Sequence, residues 1–174
     1  MQTTFGRLLA IALVLLALPA RAFAANDDRQ RCQEGWLDLS WARVAVRCDA
    51  AANNAEIDAL HYERDLPFAG TPASYPIGEV SPDPDGTKPL LELESDLSFD
   101  WLNEAGRYFA RAAYAYHRLH RDATAERELG AAIADVKRSL HFATTRAESA
   151  QSERVLAALV ASAFFKTRPG QLPL

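Results

Sequence analysis

Three arginines on one predicted helix face are the residues with the clearest potential for binding chemistry. Arg107, Arg111 and Arg118 recur at steps of four and seven, which places them on the same side of an α-helix. Guanidinium groups form paired hydrogen bonds with carboxylates and phosphates. Binding of an acidic partner or a small anion at this face is therefore one hypothesis. The favoured alternative is a solvated face that forms local ion pairs with carboxylates such as Asp100, Glu104 or Asp122.

Two histidines follow on the same predicted helix. His117 and His120 are three residues apart, so both imidazoles could reach one metal ion from one side of the helix. The pair lacks a defined third ligand, however, and a histidine near a helix C-terminus is also favoured by the helix dipole. A metal site is therefore one hypothesis here, and a structural role is the favoured alternative.

An acidic turn partly matches a calcium-binding loop. An EF-hand loop takes oxygen ligands at its first, third and fifth positions, glycine at the sixth and glutamate at the twelfth. Serine replaces the usual first aspartate and two prolines stiffen the turn, which favours an acidic linker over a site for calcium, the one cofactor suggested. The five positions hold Ser81, Asp83, Asp85, Gly86 and Glu92.

Catalytic motifs are not recognisable in the chain. It contains no GxSxG nucleophile elbow, no glycine-rich phosphate loop and no CxxC pair. The formal net charge of −4 disfavours nucleic-acid binding, which depends on contacts between basic side chains and phosphates. We therefore lean towards a protein that is not an enzyme.

Cys32 and Cys48 are predicted to form a disulfide bond, the alternative being two separately buried thiols. In one straight helix, 16 steps of about 1.5 Å would place their Cα atoms roughly 24 Å apart. A disulfide requires a Cα separation below about 7 Å. The chain must therefore double back, and we predict a helix starting near Ser40 with residues 32–38 folded back along it.

The N-terminus has the three-part pattern of a cleavable secretory signal. Arg7 is the basic element, residues 8–18 form an apolar run, and Ala22 and Ala24 are the small residues that signal peptidase recognises. The run is too short for a membrane span, which needs about 20 residues. We predict cleavage after Ala24, with Ala22 as the second candidate, and a soluble periplasmic or secreted protein without a membrane anchor.

The predicted mature chain suits one domain. Removing the first 24 of 174 residues leaves 150, and the loss of Arg7 and Arg21 changes the formal charge from −4 to −6. A chain of this length can bury a core large enough to fold as a unit.

Helical periodicity and proline content divide the mature chain. We predict a helix from Ser40 to Ala52, a break at Asn53 and Asn54, and a short helix to about Arg64. Residues 66–89 contain six of the nine prolines, so we assign residues 66–95 to a long loop.

Three further helices are predicted after this loop. The first starts at an N-cap on Ser98 and runs to about His120, and the second is capped by Thr124. The third runs from about Ser152 to Lys166 and is apolar nearly all round, so we predict that it is the central helix.

Together these elements predict an all-α fold, a small antiparallel bundle of about four to five helices with a long proline-rich loop. Residues 25–65 and 96–174 should pack as one domain. The favoured function is binding to another envelope protein, as an inhibitor, immunity or chaperone-like factor. Two alternatives stay open: an envelope enzyme whose site is not recognisable in the sequence, and a helical bundle that binds a small ligand or a metal.

Overall fold

The computed structural model describes residues 26–65 and 90–174, and all regular structure in these ranges is helical. The helices form a small all-α bundle, which confirms the predicted fold class. In chain order the elements are α1 (26–37), α2 (Trp41–Asp65), α3 (Leu90–Arg118), α4 (Asp122–Phe142), α5 (Arg146–Val160) and two 3₁₀ turns at Phe164–Lys166 and Pro169–Gln171.

Several sequence predictions fall outside the described ranges. They are the secretory signal at residues 1–24, the proline-rich segment at residues 66–89, and the candidate calcium ligands Asp83 and Asp85. Glu92, the last residue of the candidate calcium loop, lies in the first turn of α3. Among the described residues, none of the helices has both the length and the apolar character needed to cross a membrane.

A covalently closed hairpin joins α1 to α2. Ser40 donates its backbone N–H to Gly35 at 2.9 Å, and Leu39 adopts a left-handed φ of 55°, so the chain reverses within three residues. The reversal brings the Cα atoms of Cys32 and Cys48 to 4.7 Å, and the two residues form a disulfide bond. The predicted bond and the predicted reversal are both confirmed.

One continuous helix, α2, replaces the two short helices predicted around Asn53. Asn53 donates from its side-chain amide to the backbone carbonyl of Asp49 at 2.7 Å and to the Asp49 carboxylate at 2.9 Å. These bonds keep the asparagine amide within the helix, so it does not compete for backbone groups in a turn. The predicted break was therefore wrong.

The centre of the bundle is α3, which packs against α2 on one side and α4 on the other. It begins at Leu90, eight residues before the predicted start, and Ser98 is fully buried inside it instead of capping it. The prediction that the last helix is central was wrong, since Val160 of α5 is 60% exposed. Many buried residues of α3 are small: Ala105, Ala110, Ala112, Ala113 and Ala115.

The last two helices also begin earlier than predicted. Helix α4 starts at Asp122, and its N-terminus has no side-chain cap from Thr124 or any other residue. Helix α5 starts after Thr145, which forms a capping box with Glu148, and it ends at Val160. The sequence contains this capping pattern, a threonine followed three residues later by glutamate, but the apolar run further along suggested a later start.

Aromatic contacts fix the C-terminal segment to the hairpin. The ring of Tyr114 lies 5.7 Å from that of Trp36, 5.6 Å from that of Trp41 and 6.1 Å from that of Phe164. Its hydroxyl donates to the backbone carbonyl of Thr167 at 2.9 Å. Tyr114 therefore links α1, α2 and the segment that follows α5.

Glycine substitutions test the close approach of α3 to α4. A Cβ at Gly106 would lie 2.5 Å from Cγ2 of Val136 and 3.1 Å from the carbonyl of Ala132, whereas a Cβ at Gly130 meets nothing within 4 Å. Gly106→Ala should lower the free energy of unfolding by about 1–3 kcal/mol because of overpacking. Gly130→Ala should raise it by about 0.5–1 kcal/mol through helix propensity. Urea denaturation measures both, and equal effects would contradict this packing.

Removal of the disulfide tests the hairpin. The bond closes a loop with a sequence separation of 16 residues, so Cys32→Ala with Cys48→Ala should lower the free energy of unfolding by about 3 kcal/mol. Urea midpoints of this variant and of the wild type, each with and without reductant, measure the effect. A wild-type midpoint that does not respond to reductant would argue against a stabilising bond.

Candidate functional site

Arginine side chains contact all three tryptophans of the chain. The Arg29 guanidinium lies 4.2 Å from the ring centroid of Trp101, and that of Arg111 lies 5.7 Å from the centroids of Trp36 and Tyr108. Such contacts are attractive because the face of an aromatic ring carries partial negative charge. We define the arginine–aromatic face as the partly exposed side chains of Arg29, Trp101, Glu104, Arg107 and Arg111 together with the buried rings of Trp36 and Tyr108 that contact Arg111.

Helix α1 contributes Arg29 and Trp36 to this face, although both are far in sequence from the residues of α3. Arg29, Cys32 and Trp36 follow one another at steps of three and four, so they share one side of α1. Because Cys32 is bonded to Cys48 of α2, this side of α1 is held against the bundle. The disulfide thereby positions Arg29 and Trp36 beside α3.

Arg107 and Arg111 are one helical turn apart and half-buried. Burial lowers the pKa of both guanidinium groups below the ordinary arginine value, and the charge of Arg107 lowers that of Arg111 further. Neither side chain forms an ion pair or hydrogen bond within the part of the chain that the structure describes. The predicted alternative, local ion pairs on a solvated face, does not describe these two residues.

Glu104 is the acidic member of the face. Its Oε1 accepts a hydrogen bond of 2.7 Å from the hydroxyl of Tyr108, and its charge partly offsets the fall in the pKa of Arg107 and of Arg111. Burial and this hydrogen bond raise the pKa of Tyr108 well above its ordinary value. The phenol is therefore neutral at physiological pH, and the carboxylate is anchored beside both arginines.

The face has an excess of hydrogen-bond donors. Four buried N–H groups have no acceptor within residues 26–65 and 90–174: Arg29 Nε, Trp101 Nε1, Arg107 Nε and Arg111 Nε. Arg29 does use its terminal nitrogen, which pairs with Asp58 at 3.1 Å. Buried donors in native proteins nearly always have partners, so unpaired ones require an explanation. Each of these four N–H groups lacks a hydrogen-bond acceptor.

An open cleft of about 420 Å³ lies beside Arg107. Leu97 and Trp101 provide its apolar surface, Asp100 and Glu104 provide carboxylates, and Gln151 borders it from α5. The Gln151 amide donates to Asn103 at 3.4 Å, and Asn103 donates to Ser152 at 2.6 Å, which ties this edge of α3 to α5. The cleft therefore combines apolar side chains with two carboxylates and one guanidinium.

Arg118 lies apart from the other two predicted arginines. It is exposed, and its guanidinium is 5.8 Å from the ring centroid of Trp41. Seven residues of helix separate it from Arg111, a rise of about 10 Å. The predicted row thus consists of two half-buried arginines and a more distant exposed one.

The two candidate metal-binding histidines do not share a helix face. Helix α3 ends at Arg118, and His120 adopts a left-handed φ of 59° beyond it. Nδ1 of His117 lies 2.8 Å from the Asp122 carboxylate, and its ring stacks on Phe165. Among the described residues, no group of three or more His, Cys, Asp or Glu side chains could hold a metal ion.

Sequence reasoning missed most members of the face. Trp101, Glu104, Tyr108 and Arg111 recur at steps of three and four, so their common side of α3 was visible in the spacing. The participation of α1 was not, because no local pattern relates Arg29 to residues more than 70 positions later.

Comparison with family models, curated proteins and solved structures found no match to this chain.

Substitution of Arg107 tests whether this side chain stabilises the fold. Because its half-buried charge forms no ion pair or hydrogen bond among the described residues, Arg107→Met should leave the free energy of unfolding unchanged or raise it. The matched control is Arg47→Met on α2, which removes the partner of Asp28 at 2.6 Å. Since the Asp28 side chain is only 14% exposed, that change should cost about 1–3 kcal/mol.

Urea denaturation of both variants separates the two roles. A loss of stability in Arg107→Met equal to that in Arg47→Met would show that Arg107 has a structural partner.

Proposed function

We propose that this protein is an exported, non-enzymatic accessory factor that binds another envelope protein through the arginine–aromatic face. The observation that carries the proposal is the pair of half-buried guanidinium groups of Arg107 and Arg111, which form no ion pair among the described residues. An anionic group of a partner would form an ion pair with these guanidinium groups. It would also offset the desolvation that lowers the pKa of both arginines.

The residue types of the face support a protein as the partner. Tryptophan, tyrosine and arginine are the residues most enriched among those that dominate binding energy at protein interfaces. Here Trp101 and Arg111, which are both partly exposed, lie within about 15 Å along one helix, and the buried Trp36 and Tyr108 lie beside Arg111. A surface of this composition favours a protein partner over a nucleic acid, as does the acidic balance of the whole chain.

Export to the periplasm or beyond is supported by two features. The N-terminal sequence has the pattern of a cleavable signal, and the described chain contains a disulfide bond, which is typical of oxidising compartments. The hairpin that carries Arg29 and Trp36 is closed by that bond. The arginine–aromatic face therefore depends on an oxidising compartment, because reduction of the disulfide would release α1 from its covalent attachment.

Cross-linking in the native envelope tests the proposal. Tagged full-length chain should be recovered from the periplasm with Ala25 as its first residue and with a bound partner protein. Arg107→Glu with Arg111→Glu should reduce recovery of that partner at least about tenfold, since charge reversal repels an anionic group. Quantitative mass spectrometry of the recovered proteins measures the change.

Two matched controls use exposed arginines. The first is Arg154→Glu on α5 alone. The second combines Arg154→Glu with Arg121→Glu and changes the net charge by the same amount as the double reversal at Arg107 and Arg111. Both controls should retain the partner. Undiminished recovery with the double reversal at Arg107 and Arg111 would contradict the proposed function. Recovery of cytosolic protein with Met1 intact would contradict export.

A further inference from the structure

One end of the bundle, which we call the apolar end, carries exposed apolar side chains from several turns. The α1–α2 turn, the α3–α4 turn and the segment after α5 meet there, because Trp41 of α2 and Phe164 both contact Tyr114 near the end of α3. Four of the seven exposed large apolar side chains of the described ranges lie at this end. They are Leu37, Leu39, Leu119 and Val160, with exposed fractions of 75%, 52%, 36% and 60%.

Leu39 is held in a backbone conformation that leucine rarely adopts. Its φ of 55° lies in the left-handed region, where a side chain carries a steric cost that glycine avoids. About half of the side chain is exposed, so burial within the bundle offsets only part of that cost. Residues kept in such conformations are concentrated at binding sites. The position therefore favours a contact of Leu39 outside the chain.

Trp41 and Arg118 border the exposed leucines. The Trp41 ring is partly exposed two residues after Leu39, and the guanidinium of Arg118, which directly precedes Leu119, lies 5.8 Å from its centroid. At a membrane surface, leucine enters the acyl boundary, whereas tryptophan and basic side chains lie at the level of the headgroups. The side chains of the apolar end match this arrangement.

The apolar end is basic, although the whole chain has a formal charge of −4. Residues 34–44, 115–125 and 157–174 include about one turn of each helix that reaches this end. They contain five basic and three acidic side chains, a sum of +2, which the carboxylate of Leu174 lowers to +1. The basic ones are Arg43, Arg118, Arg121, Lys166 and Arg168, and the acidic ones are Glu34, Asp38 and Asp122.

The sequence places an excess of acidic residues at the opposite end. Contacts of Arg29 with Asp58 at 3.1 Å and of Arg138 with Glu56 at 3.5 Å bring the relevant segments together there. Residues 26–31, 56–65, 90–100 and 135–148 contain twelve acidic and six basic residues, a sum of −6. An anionic surface would attract one end of the bundle and repel the other, and would thereby orient the molecule.

We infer that the apolar end docks on an anionic lipid surface, with Leu37 and Leu39 in the acyl boundary and the basic side chains against the headgroups. The exposed leucines lie on separate turns, and a deformable lipid surface can accommodate such turns without a preformed groove. Asp38, between the two leucines, is paired with Arg43 at 3.9 Å. Its charge therefore has a partner at the level of the headgroups.

This inference goes beyond the proposed function and does not depend on it. Arg111 and Arg107 lie about two and three helical turns before the end of α3. The arginine–aromatic face would therefore stay outside the bilayer while the apolar end is docked. A docked chain could still bind a partner protein.

Vesicle flotation tests the inference on the mature chain that begins at Ala25, with its disulfide formed. The chain should bind vesicles of equal parts phosphatidylglycerol and phosphatidylethanolamine at least about tenfold more tightly than vesicles of phosphatidylcholine alone. Raising the ionic strength from about 0.1 M to about 1 M should weaken this binding, because it shortens the Debye length from about 10 Å to about 3 Å.

Apolar substitutions locate the contact. Leu37→Ser with Leu39→Ser should weaken vesicle binding at least about tenfold. The matched control is Ile57→Ser with Leu60→Ser, which removes two side chains of α2 that are 46% and 50% exposed and should leave binding unchanged. Leu39→Gly relieves the left-handed φ, so it should raise the urea midpoint while it weakens binding at least about threefold.

Charge reversals test the orientation. Lys166→Glu with Arg168→Glu should weaken binding to the anionic vesicles at least about tenfold. Lys137→Glu with Arg146→Glu makes the same change in net charge at the opposite end and should weaken binding by less than about twofold, because that end lies beyond a Debye length from the surface.

Three results would overturn the inference: equal binding to the two kinds of vesicle or to neither, unchanged binding of the variant at Leu37 and Leu39, or equal losses from the two charge reversals. Each of these results would leave the proposed function standing, since recovery of a partner through Arg107 and Arg111 is measured separately.

Discussion

The close packing of α3 against its neighbours is the constraint on which the rest of the bundle depends. Most residues buried on α2 are alanine or cysteine, and at Gly106 of α3 even a Cβ would lie 2.5 Å from Val136. Small side chains allow helix backbones to approach closely. Little space for large groups then remains between α2, α3 and α4, and Trp101, Tyr108 and the arginines lie along the side of α3 that faces α1.

Partial burial at this edge determines the chemistry of the face. The same aromatic rings that cover Arg111 remove it from water, which lowers its pKa and leaves its Nε–H without an acceptor. Stability is supplied elsewhere, by the disulfide and by the contacts of Tyr114. A bundle stabilised in this way can tolerate two desolvated charges.

Local signals in the chain were informative where one physical rule dominated. A disulfide between Cys32 and Cys48 limits the distance between their Cα atoms, and one straight helix would exceed that limit. The disulfide and the chain reversal could therefore be predicted together. At the helix ends, different local signals in the sequence predicted different boundaries. Asn53 suggested a helix break, but its side chain bonds back to Asp49 within α2. The capping box at Thr145 marks the observed start of α5, although the apolar residues that follow it suggested a later start.

By itself the sequence determined that the chain forms helices, that its cysteines can pair, and that Arg107 and Arg111 share one side of a helix, because these properties depend on neighbours within one or two turns. Only the tertiary structure decided that α3 is central, that Arg29 and Trp36 lie beside it, and that Arg107 is half-buried with its Nε–H unpaired. Those properties arise from contacts between segments far apart in the chain. The loss of solvent exposure that such contacts cause cannot be predicted from the local spacing of residues.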